Sequence, residues 1–177
     1  MTKTKWALDA SHSSVDFSVR HMMIANVKGT FNSFNATIEA DPTDLTTANI
    51  EFSVDTASVD TRSKDRDGHL VSADFFDVEN HPTMTFKATK IEKTDDDEYN
   101  VTGDLTLRGT TKPETFAVTF EGQGKDPWGN EKVGFSAVGT INRSDYGLVW
   151  NAALETGGVL VAEKVKISLQ LQAAKAE

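Results

Sequence analysis

Apolar and polar residues alternate with period two along most of this chain, and that pattern restricts the fold more than any other feature. Val15, Phe17 and Val19 alternate with Asp16, Ser18 and Arg20; Ile50, Phe52 and Val54 alternate with Glu51, Ser53 and Asp55. Met84, Phe86 and Ala88 follow the same rule, as do the rows Tyr99, Val101, Leu105 and Leu107, then Phe116, Val118 and Phe120. Val133, Phe135 and Ile141 form another row, and Val165, Ile167, Leu169 and Leu171 the last. Such rows belong to sheets with one apolar face and one wet face. Between Val27 and Ala40 the phase slips: Phe31 keeps one register, while Phe34, Ala36 and Ile38 keep the other. A bulge near Asn32 and Ser33 reconciles them.

The connections read as hairpins. Thr94 to Glu98 and Gly109 to Pro113 are short and rich in turn residues, as expected between antiparallel neighbours. The chain is therefore all-β, with about eight largely antiparallel strands that close into a barrel or stack as a sandwich. The long strand from Val27 to Ala40 suits a curved barrel wall. Residues 1–177 fit one domain, since no linker-like stretch interrupts them.

One segment departs from the strand pattern. Ser63 to Phe76, S-K-D-R-D-G-H-L-V-S-A-D-F-F, reads as a short helix. Ser63 is placed to cap it and Asp65 lies in its first turn, where a carboxylate favours the exposed amides. Ser72 can restart a second short turn before Asp74. Leu70, Ala73 and Phe76 recur at helical spacing and give one apolar side, with Arg66, Asp67 and His69 beside it. A lone helix in an all-β chain caps or gates an end of the barrel.

Side-chain parity adds a sharper expectation. Continuing the row Val15, Phe17, Val19 brings His21 inward, and continuing Phe135, Ala137, Gly139, Ile141 brings Arg143 inward. A buried guanidinium is costly unless paired. Either a carboxylate such as Asp67 or Asp145 meets Arg143, or the polar head of a ligand does.

Composition narrows the function. A net charge of −9, from 27 acidic and 18 basic side chains, disfavours nucleic acid or an anionic membrane as the main partner. The absence of cysteine excludes disulfides, thiolate metal sites and cysteine nucleophiles. Asp9 and His12 interrupt the N-terminal stretch before any long apolar run, so no export signal or membrane span is read there and a cytoplasmic location is expected. The triplets starting at Asn35, Asn100 and Asn142 match a glycan acceptor pattern and are read as chance without an export signal.

Three rival readings follow from the residues. His21 and His69 are suited to acid and base work in an apolar pocket, as in a barrel isomerase, but no nucleophile motif or phosphate-cradling loop accompanies them. His12, His21, His69 and His81 lack metal-ligand spacing, and the run Asp95 to Glu98 lacks the glycine of a calcium loop. No metal or cofactor is expected. The third reading is a filled barrel serving as an interaction module through Gly122 to Glu131, where Trp128 can anchor a partner or fold back over the barrel mouth.

Taken together the residues resemble the YceI-like family of bacterial lipid-binding barrels. The resemblance runs through W-A-L-D-A-S-H-S-S-V-D-F-S-V-R-H (Trp6 to His21), V-K-G-T-F (Val27 to Phe31), R-D-G-H-L-V-S-A-D-F-F-D (Arg66 to Asp77), H-P-T-M-T-F (His81 to Phe86), G-D-L-T-L-R-G (Gly103 to Gly109) and I-N-R-S-D-Y-G-L (Ile141 to Leu148). Many relatives carry an acidic residue before the His-Leu pair, where this chain has Gly68. The resemblance implies an eight-stranded, lipocalin-like antiparallel barrel with a tunnel for a long apolar chain, a polyisoprenoid or a fatty-acid-like lipid, and no catalysis. Weak homodimerisation would fit the family; stable membrane insertion and nucleic-acid binding would not. The residues expected at the ligand head are His21, Arg66, His69 and Arg143, through donors suited to phosphate or carboxylate. The tail is expected among Phe17, Val19, Phe34, Phe52, Val54, Phe75, Phe76, Phe86, Leu105, Leu107, Phe116, Phe120, Phe135 and Ile141, some of which must fill the core instead.

Overall fold

The structure is a computed structural model that describes residues 3–22, 24–151 and 161–176. Its strands are β1 (Thr4–Leu8), β2 (Ser14–His21), β3 (Ala25–Phe31), β4 (Phe34–Asp41), β5 (Asp44–Asp55), β6 (Val59–Asp60), β7 (Thr83–Asp95), β8 (Glu98–Leu107), β9 (Thr110–Lys125), β10 (Glu131–Asn142) and β11 (Val161–Lys175). One helix, α1 (Lys64–Val71), joins them.

All eleven strands belong to one antiparallel sheet in the order β1-β4-β5-β7-β8-β9-β10-β11-β2-β3-β6, and a β1–β11 pairing closes it. The ring has eight staves because three are broken, into β1 and β2, β3 and β4, and β5 and β6. β1 and β2 follow one another along the same edge of β11: Trp6 faces Lys175 and Val15 faces Leu169. On their other side Trp6 faces Ile38 in β4 and Val15 faces Phe31 in β3. Closure pairs the long strands on both sides, and the two-residue β6 ends the order with β3 as its one partner among the described strands.

Each break has a local cause. Between β1 and β2, the Asp9 carboxylate accepts from Ser11 N at 3.1 Å and Ser11 Oγ at 2.6 Å, and it meets His12 Nδ1 at 2.8 Å. The Ser11 bond, then His12, pull the Asp9 carboxyl down to about 2. The single long strand expected from Val27 to Ala40 is instead two: at Asn32 and Ser33, where a bulge is expected, β3 ends and β4 begins, with Asn32 N bonding Ser58 O and Ser33 O accepting from Asp55 N.

α1 begins as expected, with Ser63 Oγ accepting from Arg66 N. It ends sooner than residue 76, because Ser72 is extended (ψ 173°) and stops it. The expected apolar side is therefore corrected: Ala73 is exposed and Phe75 is buried instead. Gly68 sits inside α1, and a Cβ there would meet nothing within 4 Å. Gly68→Ala is expected to raise unfolding stability by about 0.5–1 kcal/mol, readable as a higher urea midpoint with an unchanged m-value.

Outward-facing side chains along β11 are Lys166, Ser168 and Gln170, all exposed, while the inward ones are Val165, Ile167 and Leu169. This polarity is opposite to that of a transmembrane barrel, whose outer band is apolar. Among the described residues no helix is long and apolar enough to cross a membrane.

Candidate functional site

The inward rows do not meet in the middle. They enclose a cavity of about 520 Å³, within the range of ligand-binding cavities, about 300–1,000 Å³. One end is closed by a floor of Trp6, Ile38, Ala40, Leu45, Val133 and Ala173, onto which Phe120 and Phe135 pack. The other end is ringed by the close of β2, the start of β11, α1 and the segment from Arg143 to Trp150.

Of the residues expected at a tail, Phe17, Val19, Phe52, Val54, Phe75, Phe76, Phe86, Leu105, Leu107, Phe116, Phe135 and Ile141 line this cavity. Phe34 and Phe120 lie outside its lining. Phe34 stacks on Phe52 with ring centroids 6.0 Å apart, and Phe120 packs on Phe135 at 5.4 Å, so both fill the wall. The filled-barrel expectation fails for the same reason the cavity exists: large rings are laid against glycines. A Cβ at Gly29 would fall 2.3 Å from Phe17 Cζ, one at Gly139 2.4 Å from Phe116 Cδ1, and one at Gly103 2.6 Å from Phe86 Cζ. Each ring occupies space on the barrel wall that a side chain would otherwise take. A glycine inside a strand is the sequence sign of such a close approach.

His21, Arg66, His69 and Arg143 all reach the cavity lining. Their surroundings differ. Arg66 is exposed, and its guanidinium donates to Thr61 Oγ1 at 2.8 Å and Thr61 O at 2.6 Å. His69 Nε2 meets Asp74 Oδ2 at 2.8 Å, and its ring stands edge-on to Phe75 and Trp150 at 5.0 and 4.7 Å. Among the described residues the His21 ring has no hydrogen bond, and it faces the cavity end.

Arg143 departs from both expectations for its partner. It is 4% exposed, and backbone carbonyls, not Asp67 or Asp145, take its donors. Nε donates to Ala162 O at 2.8 Å, Nη1 to Leu148 O at 2.6 Å and Trp150 O at 2.9 Å, and Nη2 to Val161 O at 3.1 Å. Burial lowers its pKa and Glu163 opposes that. Asp67 is engaged elsewhere, accepting from Thr61 N and Oγ1. Arg143 thus gathers the chain on both sides of residues 152–160 and holds the rim in shape.

Two further rim ties were not foreseen. Arg108 donates to Gly147 O and Ala73 O, joining the β8–β9 turn to the segment after α1 and to the turn after β10. Gly147 has φ +81°, a conformation that favours glycine there. Tyr146, wholly buried, donates to Glu114 Oε2, and burial followed by that bond raises its pKa. Arg108 follows inward Leu107 in parity and so reads as an outward residue; its partners are carbonyls, which sequence does not mark. Trp128 does not fold back over the mouth: it is 83% exposed on the β9–β10 turn, at the floor end.

A family model described as the YceI-like domain matches residues 6–173. The chain belongs to the YceI-like family. Among its YceI-like relatives, a UPF0312 protein of Staphylococcus epidermidis is 43% identical over 164 residues, which cover 92% of this chain and 93% of that protein. BcnA of Burkholderia cenocepacia superposes with a TM-score of 0.82 at 27% identity, covering 93% of this chain and 98% of its own. A polyisoprenoid binding domain from Saccharophagus degradans shares the fold with a TM-score of 0.73 at 13% identity, covering 98% and 99% of the two chains. The barrel fold is thus shared with solved structures of bacterial proteins.

Proposed function

We propose that this barrel binds one long-chain amphiphilic lipid, a polyisoprenoid or fatty-acid-like molecule, as a non-catalytic carrier or store. The observation that carries the reading is the cavity of about 520 Å³, lined by apolar rows and carrying the basic side chains His21, Arg66, His69 and Arg143 at one end. A fold neighbour described as a polyisoprenoid binding domain supports the same ligand class. The tail lies along the inward rows, and the head meets His21, Arg66 and His69 at the rim, while Arg143 holds that rim in shape. Burying a methylene contributes roughly 0.8 kcal/mol, so a tail of about fifteen gains about 12 kcal/mol. Association costs of about 4 kcal/mol leave about 8 kcal/mol, which is near-micromolar binding.

Denaturing extraction of the purified protein, with mass spectrometry of the organic phase and native mass spectrometry of the holoprotein, tests this. A lipid at close to one per chain is the expected result. No lipid recovered, and no uptake of long-chain lipids added afterwards, would remove the proposal.

A further inference from the structure

Turns between strands are ordinarily polar, and the turns at the barrel floor follow that rule. Asp41 and Asp44 flank the β4–β5 turn, Asp95 to Glu98 form the β7–β8 turn, and Asp126 opens the β9–β10 turn, where Trp128 is the exception. The mouth breaks the rule. In the β2–β3 turn Met22 is 44% and Ile24 77% exposed, and Val149 is 66% exposed between Leu148 and Trp150. Exposed apolar residues scattered singly need no explanation, but their convergence at one opening does.

Arg143 is what brings them together. It bonds Leu148 O and Trp150 O, on either side of Val149, and also Val161 O. Val161 faces His21 in the β2–β11 ladder, one residue before Met22. Val149, Met22 and Ile24 therefore crown the same end, where charged side chains of both signs, Arg20, Asp65 and Arg66, also lie. The floor turns, at the opposite end, carry no such apolar group apart from Trp128.

We propose that the mouth docks peripherally on a lipid bilayer, so that a long tail passes between membrane and barrel without crossing water. This rests on the lipid-carrier reading. The side chains at the rim enter the interface with their apolar surface, as amphipathic surface elements do. With a net charge of −9 the contact is apolar and transient, and zwitterionic lipid suffices for it.

The test uses the full chain and a fluorescent long-chain fatty acid. Uptake is followed from phosphatidylcholine vesicles and, separately, from cyclodextrin, for the unaltered protein and for an Ile24→Asp/Val149→Asp variant. Both positions are exposed and outside the cavity lining, and a matching urea midpoint checks that the variant folds. The expected result is a loss of tenfold or more in the vesicle-uptake rate with uptake from cyclodextrin unchanged. Equal vesicle rates for the two proteins would overturn the docking mouth while leaving the carrier reading in place. Failure of the unaltered protein to take the probe from cyclodextrin would overturn the carrier reading, and the docking proposal with it.

Discussion

Arg143→Ala is expected to destabilise the barrel by about 3–5 kcal/mol, measured as a lowered urea midpoint. The side chain donates to four backbone carbonyls from two separate stretches, at residues 148 and 150 and at residues 161–162. Truncation leaves those acceptors without donors in a site that is 4% exposed at Arg143. Arg143→Lys is expected to recover little, because an ammonium is a compact point of three donors and cannot span a planar array of carbonyls. Loss of the clamp loosens the rim for every ligand alike, so affinities for anionic and neutral lipids fall by the same factor. An unchanged midpoint with a loss confined to anionic lipids would instead return Arg143 to a direct head contact.

The contrast between Arg143 and the strand rows explains what sequence can carry. Alternation located the ring because each inward position is apolar for the same reason, burial on one face, and the reason repeats every second residue. Parity also placed Arg143 inside correctly. Its partners were not legible, since a carbonyl oxygen is present at every residue and leaves no mark on residue type. β1 and β6 escaped notice because five and two residues are too few to show a period. The start of α1 was written in Ser63, a side-chain cap, whereas its end depended on the extended backbone of Ser72 and on Arg108 holding Ala73 O. Phe34 and Phe120 show the limit of parity: it assigns a face of the strand, not a depth along the barrel, and neither ring lines the cavity.

Apolar rows look the same in a filled barrel and a hollow one, so the hollow depends on something other than the rows. Gly29 stands directly opposite Phe17 in the β2–β3 ladder, and the Phe17 ring tip occupies the place of its missing side chain. The ring also meets Phe31 at 5.5 Å, which blocks retreat along the wall. Gly29→Ala places a Cβ 2.3 Å from Phe17 Cζ, and the ring, being the mobile partner, must swing into the lumen. The expected result is a loss of about 1–3 kcal/mol in stability from overpacking, together with a fall of about tenfold or more in affinity for a long-chain lipid, about 1.4 kcal/mol or more. Gly29→Ala combined with Phe17→Ala removes the obstructing ring and is expected to restore binding, although Phe17→Ala alone deletes a lining side chain. That coupling, read by titrating the four proteins with the same fluorescent lipid, separates a gate in the lumen from general damage: independent losses that simply add would show that the Gly29–Phe17 contact does not set the width of the tunnel.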